Sequence, residues 1–140
     1  MRIPRELVDE MVAHALEDAP NECCGMISAH DDRAVRLYRA TNIKASPLAY
    51  AISGPEIIRV VSEIEDAGQR LGAIYHSHTR SEPYPSQTDV NLAFWPPTDQ
   101  EAWPGAIYVI VGVAGDQPDV RAYRIPTRDR IEEVELDIEP

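Results

Sequence analysis

The stretch that decides the fold reads YHSHTRSEPYPSQTD and covers residues 75–89. A short apolar run over residues 71–75 leads into it, and such a run predicts a buried strand. His76 and His78 follow just past that strand, two residues apart. If the chain stays extended there, both imidazole rings project from one face of the strand. The spacing therefore suits two metal ligands, although histidine pairs also occur at strand ends without a metal.

Ser86 and Asp89 stand at the far end of this stretch, where a short helix is predicted to run through Phe94 and to stop before Pro96 and Pro97. Asp89 could supply an oxygen as a third metal ligand. Two imidazoles and one carboxylate hold zinc with a fourth position open for water, and zinc lowers the pKa of that water to about 7. The same two residues also match a capping box, so this alternative stays open.

Glu22 is the candidate general base. It stands at the mouth of an apolar strand predicted over residues 22–29, where burying a lone carboxylate would be costly without a task or a partner. The alternative is a solvated residue before the strand. The adjacent cysteines Cys23 and Cys24 cannot close a useful disulfide loop and lack zinc-ribbon spacing, so we expect both in the core. We expect His14 and His30 on the surface.

The remaining patterns predict one α/β domain with a mixed sheet. Helices are predicted over residues 4–19 and 55–70, and strands over 34–40, 48–52, 106–113, 120–125 and 131–138. The strand over 106–113 is the most apolar and is expected in the interior of the sheet, and 131–138 is expected at its edge. The loop from Pro96 to Pro104, flanked by Trp95 and Trp103, either lines a partner surface or closes one end of the core.

Composition excludes several classes of function. The chain has 140 residues, with 13 Lys and Arg against 24 Asp and Glu, which gives a formal net charge of −11. We therefore do not expect such an acidic protein to bind nucleic-acid phosphates or an anionic membrane. The sequence shows no apolar signal core and no stretch approaching the roughly 18 apolar residues of a membrane span. We therefore expect a soluble cytoplasmic protein.

The combination of His76-x-His78, seven residues, Ser86-x-x-Asp89 and an upstream Glu22 resembles the motif of the JAMM (MPN+) metalloproteases. The resemblance implies a single JAB1/MPN domain over residues 1–140, with a mixed central sheet flanked by helices as in cytidine deaminases. It also implies that His76, His78 and Asp89 bind Zn²⁺. Glu22 would act as general base and then general acid on a zinc-bound water, and the Ser86 hydroxyl would donate to the oxyanion.

The segments NECCG (21–25), YHSHT (75–79) and YPSQTD (84–89) resemble the small bacterial branch of that family. Its members release cysteine from the C-terminal Gly-Gly of a ubiquitin-like sulfur-carrier protein, which is the partner that the resemblance implies. Thr79 departs from the proline common in the family, at a position that is not a ligand. A general isopeptidase for ubiquitin-like proteins and a non-catalytic scaffold are the alternatives. A nucleobase deaminase lacks support because its cysteine ligands are missing. Whether the protein is a homodimer stays open.

Overall fold

A computed structural model describes residues 1–95 and 98–140. In chain order, its elements are β1 (Arg2–Pro4), α1 (Arg5–Asp18), β2 (Cys24–His30), β3 (Arg33–Ala40), α2 (Gly54–Asp66), β4 (Arg70–His78), α3 (Gln87–Leu92), β5 (Ile107–Gly112), β6 (Asp119–Thr127), β7 (Arg130–Val134) and β8 (Asp137–Glu139). Among the described residues, no helix has both the length and the apolar character needed to cross a membrane. The succession of helices and strands is the predicted α/β pattern, with β1 as an addition that the sequence patterns did not indicate.

The strands form one mixed sheet in the order β7-β6-β5-β4-β2-β3-β1-β8 within the described part of the chain. β4 runs antiparallel to β2 and parallel to β5, so it is paired on both sides. Each face of the sheet has its own apolar core. One core contains Met11 of α1 with Tyr75, and the other contains Ile64 of α2 with Ile74. Neighbouring residues of β4 thus face opposite layers, as the alternation of a strand requires.

The second helix is shorter than predicted. Ser53 caps it, with the Glu56 amide donating to its hydroxyl at 3.3 Å, but the helix ends at Asp66 rather than at residue 70. Gly68 adopts a φ of 74°, a left-handed conformation that terminates helices. The Gln69 amide then donates to the Ile64 carbonyl at 3.1 Å and closes the last turn. Arg70 consequently belongs to β4.

The short strand predicted over residues 48–52 does not form. The amide group of the Asn42 side chain takes the hydrogen bonds that a neighbouring strand would otherwise make with this segment. It donates to the Ala49 carbonyl at 3.0 Å and accepts from the Ala51 amide at 3.1 Å. Residues 41–52 are therefore a loop, which we call the 41–52 loop.

The predicted edge strand over residues 131–138 is in fact two strands. β7 pairs antiparallel with β6 at one edge of the sheet, whereas β8 pairs parallel with β1 at the other. Only residues 135 and 136 separate the two strands along the chain, so the sheet curls until its two edges come close together. At α3, the prediction of a helix through Phe94 is too long by two residues, because the helix ends at Leu92. The predicted stop at Pro96 and Pro97 falls outside the described residues.

Candidate metal centre

His76 and His78 are the first two members of the site, and both lie within the last residues of β4 rather than just past it. Their rings are buried, and their Nε2 atoms lie 3.2 Å apart. The alternation of the strand places both on the same face, as predicted. β5 pairs with β4 as far as His78, and β2 pairs with it as far as His76, so the two rings project from a backbone held by neighbouring strands.

Asp89 joins them from the first turn of α3. Its Oδ2 lies 3.1 Å from His76 Nε2 and 3.0 Å from His78 Nε2. The capping box also forms, because the Ser86 amide donates to Asp89 Oδ2 at 2.9 Å and the Asp89 amide donates to Ser86 Oγ at 3.2 Å. The two interpretations of this pair are therefore compatible. The cap fixes the carboxylate where the histidines need it.

The three atoms fit a zinc ion. Ligands of tetrahedral zinc with bonds of about 2.0–2.1 Å lie about 3.3–3.4 Å from one another. The edges of the triangle formed by His76, His78 and Asp89 are within about 0.4 Å of that spacing. This is the one cluster of three metal-ligating side chains found in residues 1–95 and 98–140. The donor set leaves one tetrahedral position open, as in catalytic zinc sites.

The two histidines are oriented in different ways. His78 Nδ1 donates to the Glu82 carbonyl at 2.8 Å, which turns Nε2 toward the cluster. His76 Nδ1 is buried and has no hydrogen-bond partner among the described residues. Instead, its ring stacks on the ring of Tyr50, with centroids 4.4 Å apart and planes inclined by 20°. An aromatic contact from the 41–52 loop thus takes the place of the usual hydrogen bond.

The charges of the cluster suit a divalent cation. Burial alone would raise the pKa of Asp89, but hydrogen bonds from His76 and His78 hold it well below its ordinary range. Burial lowers the pKa of His76. For His78, burial works in the same direction, but the Asp89 carboxylate and the Glu82 carbonyl raise the pKa overall. The cluster therefore presents an ionised carboxylate beside two imidazole nitrogens. A metal cation that binds there would replace the protons on those nitrogens.

Glu22 lies beside this cluster. Cys24 pairs with His76 at the end of the antiparallel β2–β4 ladder. Glu22 lies two residues before Cys24 and His78 lies two residues after His76, so both lie beyond the same end of the ladder. The Glu22 side chain is buried, with 4% of its surface exposed, and Oε1 has no hydrogen-bond partner in the described part of the chain. Burial raises the pKa of Glu22 to about 7, with His78 opposing and Asp89 adding to the shift. A carboxyl with this pKa can both take and return a proton at neutral pH.

This shift predicts a pH dependence of stability in the metal-free protein. Because the folded-state pKa of Glu22 lies above its ordinary value of 4.5, the folded state holds the proton more tightly than the unfolded state. The contribution of Glu22 to stability is complete below about pH 4.5 and is lost as the pH rises through 7. With zinc chelated, the melting temperature of Glu22→Gln minus that of wild type should therefore increase as the pH rises from 5 to 8. A constant difference over that range would contradict the burial argument.

The cysteines and the other two histidines do not belong to the site. Cys23 and Cys24 are free and fully buried, as predicted, and burial raises their pKa values to about 11 and 12, so neither is a ready thiolate. His30 is exposed. The prediction for His14 is wrong, because its Nδ1 lies 2.7 Å from the Tyr75 hydroxyl and its ring is buried. A histidine on the apolar face of a helix can be buried when the strand beneath it supplies a hydrogen-bond partner, as Tyr75 of β4 does here.

Trp95 and Trp103 lie in different environments, and the expectation that their loop lines a partner surface stays a prediction. Trp103 is half-buried and packs against the core, whereas Trp95 is 51% exposed. Their ring centroids lie 5.9 Å apart, and both line an apolar groove of about 200 Å³ that also includes Tyr50 and Phe94. The part of the predicted proline-rich loop formed by residues 96 and 97 lies outside the described residues.

Two residues that matter to the geometry were missed from the sequence, namely Tyr50 and Asn42. Nothing in the local pattern distinguishes Tyr50 from any other core tyrosine. Asn42 follows the end of β3, where asparagine is a common turn residue. That signal predicts a turn, but it does not predict which distant groups the side chain will bind.

Comparison with known proteins places the chain in a family. The model of a family described as prokaryotic homologs of the JAB domain matches residues 4–126. The chain belongs to this family, its fold is the JAB1/MPN fold, and it is an enzyme of the JAMM metallopeptidase type.

Its similarities to individual proteins are more specific. The chain is 40% identical over 126 residues to the CysO-cysteine peptidase of Mycobacterium tuberculosis, covering 88% of this chain and 81% of that protein. It is 32% identical over 114 residues to the desampylase of Haloferax volcanii, covering 76% of each. The solved structure described as "JAMM: A Metalloprotease-like Zinc Site in the Proteasome and Signalosome" matches with a TM-score of 0.62 and 21% identity, over 100% of this chain and 98% of that one.

Proposed function

We propose that this protein is a zinc peptidase that hydrolyses the amide after the C-terminal Gly-Gly of a ubiquitin-like sulfur-carrier protein and releases cysteine. The observation that carries the proposal is the convergence of three buried ligand atoms around one point, with the buried carboxyl of Glu22 beside them. The similarity to a CysO-cysteine peptidase supports the choice of substrate. The cytoplasmic location expected from the sequence stays a prediction.

His76, His78 and Asp89 would hold the metal. Zinc bound there supplies Lewis acidity toward the scissile carbonyl and makes a bound water more acidic. The buried histidines stay fixed by β4 and by their contacts with Tyr50 and the Glu82 carbonyl. The carboxylate of Asp89 stays fixed by the cap of α3. Little reorganisation is therefore needed when the substrate arrives.

Glu22 and Ser86 perform the remaining steps. Glu22 accepts a proton from the attacking water and then delivers it to the leaving amine, because its pKa of about 7 suits both directions. Ser86 Oγ accepts a hydrogen bond from the Asp89 amide, which leaves the hydroxyl proton free to donate. Ser86 is exposed at the start of α3 and can donate to the carbonyl oxygen as negative charge develops on it.

A Gly-Gly terminus suits a buried metal. Because neither residue has a side chain, an extended tail can bring its backbone close to ligands that are themselves below the surface. This is the physical reason for expecting specificity before the scissile bond. The leaving group lies on the other side of that bond and can vary more.

A second substrate class has an observation in its favour. The 32% identical relative is named desampylase, so a ubiquitin-like protein joined to another protein is the alternative substrate. Both reactions would use the same five side chains.

The test is the intact mass of defined substrates. Gly-Gly carriers with a C-terminal cysteine would be incubated with the zinc-loaded protein, with and without a chelator, beside a carrier ending in Gly-Ala-Cys and a lysine isopeptide of the same carrier. We expect chelator-sensitive loss of one cysteine from the Gly-Gly carrier and little from the Gly-Ala carrier. Cleavage of the isopeptide alone would favour the second class. Cleavage of neither would contradict the proposal for the carriers tested.

Ser86→Ala should lower kcat by about 10²–10³-fold, the usual loss when one oxyanion donor is removed. The variant also loses the cap of α3, so its zinc affinity must be measured separately. Ser86→Gly keeps much of the capping preference without a hydroxyl and provides the matched comparison. A wild-type kcat in both variants at saturating zinc would show that Ser86 is only a helix cap and does not donate to the oxyanion.

A further inference from the structure

Asn42 makes an unusually complete set of hydrogen bonds. Its Nδ2 donates to the carbonyls of Glu22 and Ala49, each at 3.0 Å. Its Oδ1 accepts from the amides of Lys44 at 3.0 Å and Ala51 at 3.1 Å. A side-chain amide has two N–H donors and two acceptor lone pairs, so every one of its sites is used. Two carbonyls on one side and two amides on the other also fix which atom is nitrogen.

One of these bonds reaches the residue that bears the general base. Glu22 precedes β2 and lies outside the ladder, so no neighbouring strand holds its backbone. Its amide donates to the Ser46 carbonyl at 2.9 Å, and its carbonyl accepts from Asn42. The 41–52 loop therefore fixes both polar groups of the Glu22 backbone, and the Asn42 side chain is one of the two contacts.

Two other bonds reach the segment that supports a metal ligand. Ala49 and Ala51 flank Tyr50, and Asn42 holds both of them. The Tyr50 ring is buried and stacks on His76, whose Nδ1 has no hydrogen-bond partner within the described residues. The orientation of this histidine thus depends on Tyr50, and the position of Tyr50 depends on Asn42.

We propose that Asn42 is a positioning residue that sets two parts of the site at once: the Glu22 backbone directly, and the ring of His76 through Tyr50. The effect on Glu22, which we call the base arm, rests on the proposed peptidase function. The effect on His76, which we call the metal arm, concerns zinc affinity and can be tested without any substrate. Asn42 is not one of the three clustered side chains that could hold a metal, so it acts through these two residues.

The metal arm is tested by a double-variant cycle on zinc affinity, measured by competition with a chromophoric chelator. Asn42→Ala and Tyr50→Leu should each weaken zinc binding about tenfold, at the lower end of the range for residues that orient ligands. If Asn42 acts through Tyr50, the double variant should lose little more than about tenfold. Independent effects would multiply to about a hundredfold and would overturn this arm.

The base arm is tested by kcat at saturating zinc. Asn42→Ala should lower kcat about tenfold or more, with KM changed by less than about twofold. In a Glu22→Gln background, the same substitution should have no further effect, because the residue that it positions no longer carries a base. A full additional loss in that background would overturn this arm. If wild type cleaves no substrate, the proposed function fails, while the zinc cycle still decides the metal arm.

Ser53→Ala is the matched control for stability. It removes the cap of α2 without touching Glu22 or Tyr50. It should lower the melting temperature and leave kcat and zinc affinity unchanged. If Asn42→Ala does not fold, Asn42→Asp replaces it, because aspartate keeps both acceptor bonds and loses both donor bonds. Zinc affinity and kcat equal to those of Ser53→Ala would overturn the proposal.

Discussion

Glu22→Gln is expected to lower kcat by about 10²–10⁴-fold, the range attributed to a general acid or base. Glutamine has nearly the same size as glutamate, so the buried space is filled in both proteins. It cannot accept a proton from the attacking water or return one to the leaving amine. Because Glu22 is not one of the three clustered ligands, zinc affinity should change little. The measurement is single-turnover cleavage of the carrier substrate at saturating zinc.

Glu17→Gln is the matched control for that result. Glu17 lines the same polar cavity as Glu22, but its side chain is exposed and paired with Arg39. Its neutralisation should leave kcat within about twofold of wild type, because an exposed ion pair contributes little. Equal losses in the two variants would indicate a general effect of charge in the cavity and would remove Glu22 from the mechanism.

Asp89→Asn is expected to abolish most zinc binding. Replacing a residue that only orients a ligand costs about 10–100-fold in metal affinity, and losing the one anionic ligand should cost more than that. Asparagine keeps an oxygen that can accept from the Ser86 amide, so α3 retains its cap. Wild type should melt at a higher temperature when zinc is added, since zinc at 100 times its Kd contributes about 2.7 kcal/mol. The variant should show almost no such rise at the same zinc concentration.

Asp119→Asn serves as the control for the loss of one negative charge. Asp119 is exposed and paired with Arg121, and it is not among the clustered ligands. This variant should bind zinc as wild type does. If Asp89→Asn kept a wild-type response to zinc, Asp89 would be a helix cap and not a ligand.

The grouping of the three candidate ligands could be predicted because it follows from short spacings along the sequence. His76 and His78 share a face whenever the chain between them is extended, and Ser86 places Asp89 in the first turn of a helix. Glu22 was identified from the cost of burying a carboxylate, and the structure places it in a buried position. The supporting contacts are different, because the stacking of Tyr50 on His76 joins residues that no local pattern connects.

The fold was predicted least well where side chains replace backbone partners. Residues 48–52 have the composition of a strand, yet the Asn42 side chain bonds the Ala49 carbonyl and the Ala51 amide in place of a neighbouring strand. The end of α2 depends on the left-handed conformation of Gly68, which competes with an otherwise continuous helical pattern. The division of the last predicted strand into β7 and β8 depends on the curl of the whole sheet, and alternation along one segment cannot report that curl.

The order of the strands has a consequence for local unfolding. β4 and β2 form the middle pair, with three strands beyond each of them toward either edge. The histidines lie on β4, and one residue separates Glu22 from the start of β2. Fraying of β7 or β8 can therefore expose edge amides to hydrogen exchange while the central pair stays closed. The β4 amides near His76 should therefore exchange only through openings that approach global unfolding, so the strand that carries both histidines keeps its place for as long as the fold lasts.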